Sequence, residues 1–185
     1  MDALKIIQQR ASLKACLSNR RLDPQALADI LEAGRAAPSA RNNQPTRFLV
    51  LNDPQVIARV VKEAFSEGNQ VVAQAPVLIF ICAAPQQAMV RDGVNYYLFD
   101  AGLATENMLL AATDLGLATH AMTGFKDADV KRILGIPENI KVVAATPLAC
   151  PPQSTYEEAA SERLAARKRK GLQELVFWNS WGAAR

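Results

Sequence analysis

Pro38-Ser39-Ala40-Arg41-Asn42-Asn43-Gln44-Pro45 is the stretch that decides the fold. Two prolines bracket hydroxyl, guanidinium and amide side chains, far more polarity than a turn requires. Upstream, Asp23-Pro24 is a helix start, a capping carboxylate followed by proline in the first turn. Leu27, Ile30, Leu31 and Gly34 then recur at three and four residues and mark one helical face. Downstream, Phe48-Leu49-Val50-Leu51 reads as an apolar strand. Polar loops held between rigid elements are where binding groups concentrate.

Working outward, Asp2 can cap a first helix running to Gln9, with Leu4, Ile7 and Ile6 facing inward. Asp53-Pro54 repeats the start signal for a third helix, with Val56, Val60 and Ala64 on one face. Val77-Leu78-Ile79-Phe80-Ile81 is continuous, apolar and β-branched, the pattern of a strand buried on both faces. Asn95 to Leu115 reads as one long helix rich in small residues, suited to crossing the centre of a domain and ended by Gly116. A short strand is expected around Ala118 to Met122, a helix from Asp127 to about Gly135, and a strand from Lys141 to Ala149 broken by Pro151-Pro152. A charged helix should cover Tyr156 to Arg169. Leu175-Val176-Phe177-Trp178 is apolar and extended in character. Chain ends fray unless docked, so this segment suggests pairing, plausibly with another subunit. Nothing divides the chain, and residues 1–185 read as one α+β domain.

The chain has 185 residues, half of them hydrophobic, enough for one well-buried domain. A net charge of +3 is too small to argue for nucleic acid, and aromatic residues do not cluster with the basic run to make a stacking surface. The longest apolar runs fall short of the roughly 20 residues of a membrane helix, and no secretory signal is visible, so a cytoplasmic protein is the default. Cys16, Cys82 and Cys150 are widely spaced with no Cys-x-x-Cys pair, which argues against a disulfide framework or metal site. Cys82 reads as a small buried hydrophobe.

Two cationic clusters complete the pattern. Arg10-Ala11-Ser12-Leu13-Lys14 places two cations around a hydroxyl after the first helix, and Arg167-Lys168-Arg169-Lys170 lies near the other end. With the amide-rich loop they suggest a ligand carrying a phosphate at one end and a polar heterocycle at the other. In this order, Arg-x-Ser-x-Lys, Pro-Ser-x-x-Asn-x-Gln-Pro, a long helix, Gly124-Phe125 and a basic C-terminal element resemble the nitroreductase family of FMN-dependent flavoproteins. The resemblance implies an α-β-α sandwich with a mostly antiparallel sheet, a long central helix and an intertwined homodimer with FMN at the subunit interface.

The resemblance also implies roles. Arg10, Ala11 and Ser12, with Arg167 and Arg169, would take the flavin phosphate; a solvated helix face is the plainer reading of the basic run, and Lys168 and Lys170 remain surface charges. Lys14 would lie on the pyrimidine side, where reduction leaves negative charge; an exposed loop lysine is the competing reading. Pro38, Ser39, Ala40 and Asn42 would reach a flavin seated mainly on the partner subunit, while Gln44 ties the loop to itself. Asn69, rather than Gln70, would recognise the pyrimidine. Ala121, Met122, Thr123 and Gly124 would form the turn beside the ring, with the Thr123 backbone N–H directed at flavin N5. A plain strand-exit turn would explain the glycine alone.

Ala11 stands where many relatives carry arginine, and Thr46 where many carry tryptophan. The Pro85–Asp92 connection is short, so a large lid is not expected and an open pocket is. His120, the only histidine, reads as a hydrogen-bonded core residue, and Tyr96 and Tyr97 as packing residues. The implied activity is an NAD(P)H-dependent FMN oxidoreductase reducing nitroaromatics, quinones or similar acceptors by ping-pong hydride transfer through N5. A flavin-binding redox sensor without turnover has the same contacts and is the alternative.

Overall fold

The computed structural model describes residues 2–14 and 17–182; Cys16 lies outside them. The fold is built around β2, Val77–Ala83, in which every residue is buried. It pairs on one side with β1, Thr46–Leu51, and on the other with β6, Lys141–Ala149. A two-residue β5, Ala118–Thr119, extends the sheet beyond β6, giving the order β1-β2-β6-β5 with every pairing antiparallel. Successive side chains of a strand point to opposite faces, and β2 shows this directly. Leu78, Phe80 and Cys82 enter a core with α3, Pro54–Ala64, and α5, Asp127–Leu134. Val77 and Ile79 enter a second core with α2, Pro24–Arg35, and α4, Tyr97–Asp114. Helices on both faces of one sheet make the expected α-β-α sandwich.

The helix starts follow their carboxylates. Asp23 accepts the Gln25 N–H at 3.0 Å, and Asp53 accepts that of Gln55 at 2.8 Å. Helix α4 is buried on several sides, and its Thr105 and Thr113 hydroxyls return to the carbonyls of Ala101 and Leu109, which keeps them satisfied inside the core. It lies close against α2. A Cβ on Gly34 would come within 2.8 Å of Met108 Cγ and Phe48 Cζ, so glycine is what permits this spacing. Among the described residues, no helix is long and apolar enough to cross a membrane.

Four expectations differ from what is found. Leu4 and Ile7 of α1, Ala3–Gln9, are 67% and 50% exposed rather than inward, so these two side chains are left largely uncovered by the described residues. The charged helix α6 spans Gln153–Ala165, leaving Arg167 and Arg169 beyond its end. At the C-terminus, Leu172–Leu175 forms one helical turn, α7, and the apolar residues after it join no strand. The long helix begins at Tyr97 because Asn95 belongs to a small hairpin, β3 Val90–Arg91 and β4 Val94–Asn95. Asp92 and Gly93, both at positive φ, close it with the backbone that a two-residue hairpin turn demands.

Candidate active site

The Arg10–Lys14 segment leaves α1 and runs beside the sheet edge, where the Leu13 N–H donates to the Thr119 carbonyl at 2.7 Å. Helix α6 and the segment after it lie across it. Arg163 Nε donates to the Ser12 carbonyl at 3.2 Å, and Arg167 Nη2 to that of Gln8 at 3.0 Å. Arg10, Ala11, Ser12, Arg163, Ala166, Arg167 and Arg169 thereby line a cleft of about 200 Å³. Arg10 is held by Glu106 of α4, Nε to Oε1 at 3.2 Å. Each guanidinium carries five N–H donors and these contacts use only one or two, so the cleft presents a convergent set of charged donors suited to a phosphate. Arg163 is the residue that the sequence reading missed. Its signal was present, since it stands only four residues before Arg167 in the same basic stretch. Lys168 and Lys170 are exposed and do not line the cleft.

A second element sits where β5 gives way to α5. Met122 is committed to the core: its N–H and C=O both pair with Ala145 at 2.9 Å and its side chain is buried. Its backbone is therefore anchored to β6, which fixes the start of the turn that follows. Thr123 is exposed, its carbonyl accepts the Phe125 N–H, and its own N–H donates to no described residue. Ala121, also exposed, precedes this turn. Asn69 Nδ2 lies 3.5 Å from the Gly124 carbonyl and 3.4 Å from Ser66 Oγ. A Cβ on Gly124 would meet that Nδ2 at 2.5 Å. Lys14 Nζ donates to the Gly68 carbonyl at 2.9 Å, bringing the lysine beside the same segment. Gln70 is turned away. Its Nε2 caps the carbonyls of Val61 and Phe65 at the end of α3, leaving Asn69 as the amide at the turn.

His120 stands near both elements. Its ring is half-buried, and Nδ1 is buried without a hydrogen-bond partner among the described residues, unlike the satisfied core histidine expected. Burial holds its pKa below the ordinary value, and the charges of Lys14 and Arg163 push the same way. Burial also pushes the Cys82 thiol up to about 11, which fits a packing residue rather than a nucleophile. Tyr96 packs edge-on against Phe99 at 6.5 Å.

The amide loop lies elsewhere. Pro38, Ser39, Ala40 and Asn42 contribute nothing to the cationic cleft. Pro38 and Ser39 border a separate cleft of about 610 Å³ between α2, α4 and the start of β1. Arg41, Asn42 and Gln44 all have φ near +50° (54°, 56° and 49°), a region that non-glycine residues rarely occupy. The loop is held by hydrogen bonds from Ala40 N to Asp100 Oδ1 and from Gln44 N to Ser39 Oγ, both 2.9 Å. Gln44 Nε2 reaches the Asn42 carbonyl at 3.3 Å, the expected tie of the loop to itself. Asn42 is exposed and its side chain points to no described partner.

The described residues thus present a cluster of arginines suited to a dianion and, at the β5–α5 turn, an N–H with no partner among them beside an amide and a lysine. The sequence profile of the Nitroreductase family matches residues 7–73 and 67–149. A protein of Archaeoglobus fulgidus named for NADH dehydrogenase and NAD(P)H nitroreductase activity is 33% identical over 154 residues, covering 81% of this chain and 86% of its own. The crystal structure of a nitroreductase family protein from Clostridium novyi NT superimposes with a TM-score of 0.76 at 26% identity, covering 100% of this chain and 97% of its own. An oxidoreductase containing FMN shares the fold with a TM-score of 0.78 at 24% identity, over 96% and 92% of the two chains.

Proposed function

Because the chain belongs to the nitroreductase family, we propose that it is a cytoplasmic, homodimeric FMN oxidoreductase. NAD(P)H is the donor, and a nitroaromatic, quinone or similar electron-poor molecule is the acceptor in a ping-pong cycle. The carrying observation is the Thr123–Gly124 turn, where the N–H of an exposed residue has no partner among the described residues and lies beside Asn69 and Lys14.

When bound, FMN supplies a two-electron carrier that can accept from a nicotinamide and deliver to an electron-poor acceptor. The chain supplies binding and electrostatics. Arg10, Ser12, Arg163, Arg167 and Arg169 hold the phosphate, with the Ala11 backbone closing the cleft. Lys14 sets a positive charge on the pyrimidine side, and Asn69 recognises that edge. The Thr123 N–H would donate to the flavin at N5. Lacking any Cβ, Gly124 lets Asn69 approach the turn. No side-chain acid or base is required.

Pro38, Ser39, Ala40 and Asn42 enter this reading from the second subunit, since their own chain keeps them away from the arginine cleft. Exposed apolar side chains support such a dimer: Leu4 and Ile7 on α1, Leu98 and Phe99 on α4, and the residues following Gly171.

Initial rates of the FMN-loaded protein test the reading, with NADH or NADPH varied against a quinone or nitroaromatic. Parallel double-reciprocal lines are expected. Intersecting lines would contradict a shared flavin face, and tight FMN binding with no turnover from either nucleotide would favour the redox-sensor alternative.

A further inference from the structure

Arg41 stands in the amide loop at φ 54° and ψ 20°, a left-handed conformation that glycine adopts freely and a long side chain only under constraint. The frame around it is closely bonded. The Asn42 N–H donates to the Ser39 carbonyl at 2.9 Å and the Asn43 N–H to that of Ala40 at 3.2 Å, while the Ala40 N–H is held by Asp100. Arg47 ties the far end, with Nη1 on the Gln44 carbonyl and Nη2 on Gln87 Oε1, both at 2.8 Å. A strained residue persists where its surroundings over-determine it, and such strain points to a role for the side chain that is held there.

Within its own chain that side chain has nothing to hold. Arg41 is exposed, and its guanidinium meets no partner among the described residues. Arg35, Arg59 and Arg132 are exposed too, yet each is paired with a carboxylate. Asp100, which anchors the loop, is 1% exposed and takes the Ala40 N–H, so the loop's own carboxylate is withdrawn from its surface. Glycine would fit this backbone without strain and asparagine nearly so. A planar cation with five N–H donors stands there instead.

Its place in the chain says what it can reach. Arg41 lies between Ala40 and Asn42, and adjoining Cα atoms are only about 3.8 Å apart. In the flavin reading both neighbours approach the cofactor of a second copy of this chain, and the longer stem of Arg41 arrives with them. The FMN phosphate falls in that reading to Arg10, Arg163, Arg167 and Arg169, in a cleft to which the loop contributes nothing. The anion for Arg41 is therefore another one, carried by a molecule that comes and goes.

We propose that Arg41 selects for a negative charge on the reactant that visits the flavin face: the phosphate that distinguishes NADPH from NADH, or the carboxylate of an acidic acceptor. Donor and acceptor occupy that face in turn, so one guanidinium can serve either, and its paired N–H donors suit phosphate and carboxylate alike. Arg41 passes no electron and no proton; it strengthens the binding of the charged reactant. The inference rests on the dimeric flavoprotein reading above and adds the charge class of its substrates.

The test compares kcat/KM for a charged and a neutral reactant in one preparation of FMN-loaded protein, so that inactive molecules cancel from the ratio. One pair is NADPH against NADH with a quinone as acceptor; the other is para-nitrobenzoate against para-nitrobenzamide with a fixed donor. Arg41→Asn removes the charge and tolerates the left-handed backbone. Arg41→Lys keeps the charge and loses the fork. Lys168→Asn removes an equal charge elsewhere on the surface. At least one charged-to-neutral ratio should fall about fivefold or more in Arg41→Asn, fall less in Arg41→Lys, and stay within about twofold in Lys168→Asn. A fall in the nucleotide pair assigns the anion to the donor, and a fall in the nitro pair assigns it to the acceptor. Both ratios unchanged in Arg41→Asn, or an equal fall in Lys168→Asn, would overturn the role of Arg41 while leaving the flavoprotein reading intact. An FMN-loaded protein that turns over neither nucleotide would overturn both.

Discussion

Arg163 Nε donates to the Ser12 carbonyl at 3.2 Å, joining residues 151 positions apart in the chain. The bond fixes the N-terminal segment beneath α6 and keeps a guanidinium at the mouth of the arginine cleft. Replacing Arg163 with Ala removes one charge-assisted donor from the phosphate site, a loss of about 1.5–3 kcal/mol, or roughly tenfold to a hundredfold in FMN affinity. Lys168→Ala should leave affinity within about threefold, since exposed charges contribute little. Fluorescence titration with FMN measures both, and equal effects would remove Arg163 from the site.

Gly124→Ala should damage the ring site and spare the fold. The added methyl would stand 2.5 Å from Asn69 Nδ2 and 2.9 Å from Ser66 Oγ, so Asn69 must move away. FMN affinity should fall while the melting temperature stays within a few degrees, because both neighbours are exposed or half-buried side chains. Unchanged affinity would show that Asn69 does not touch the cofactor.

Lys14→Met tests electrostatics rather than binding alone. Removing a cation near the pyrimidine side should lower the midpoint potential of bound FMN by about 30 mV, the equivalent of ~1.4 kcal/mol for a two-electron couple. Spectroelectrochemistry of the two proteins at equal saturation gives the comparison. A potential that does not move would return Lys14 to the role of an exposed loop residue tied to Gly68.

His120 predicts a pH dependence with a definite sign. Burial, Lys14 and Arg163 hold its folded pKa below the ordinary 6.5. As pH falls below that value the unfolded chain takes up the proton first, so stability present above about pH 6.5 is lost toward the folded pKa. Urea midpoints at pH 7.5 and 5.5 should separate more in the native protein than in His120→Gln. Carboxylates titrate mostly below about pH 5 and affect both proteins alike. An identical drop in the two would contradict the assignment.

Much of the fold was legible because its signals are local. Asp23-Pro24 and Asp53-Pro54 set two helix starts, Gly135 at φ 67° ends α5, and the unbroken apolar run of β2 announces burial on both faces. The terminal elements were misread for a physical reason. Leu4 and Ile7 carry an inward-facing pattern yet are 67% and 50% exposed, and the segment after Leu175 reads as extended yet joins no described strand. Of the site, short motifs marked Arg10, Ser12, Lys14 and the 123–124 turn. Arg163 was hidden in an ordinary charged helix and Asp100 in an apolar one, because what distinguishes them is a carbonyl or an amide from a distant segment. The pairing of Met122 with Ala145 was not legible either, since a turn motif does not reveal which backbone groups the sheet uses.

Anaerobic titration of the FMN-loaded protein with NADPH, and in parallel with NADH, followed by visible flavin absorbance, tests the central claim most directly. One nucleotide should bleach the bound flavin stoichiometrically, and a quinone should restore the colour. A protein that takes up no FMN, or whose bound flavin stays oxidised with both nucleotides, would contradict it.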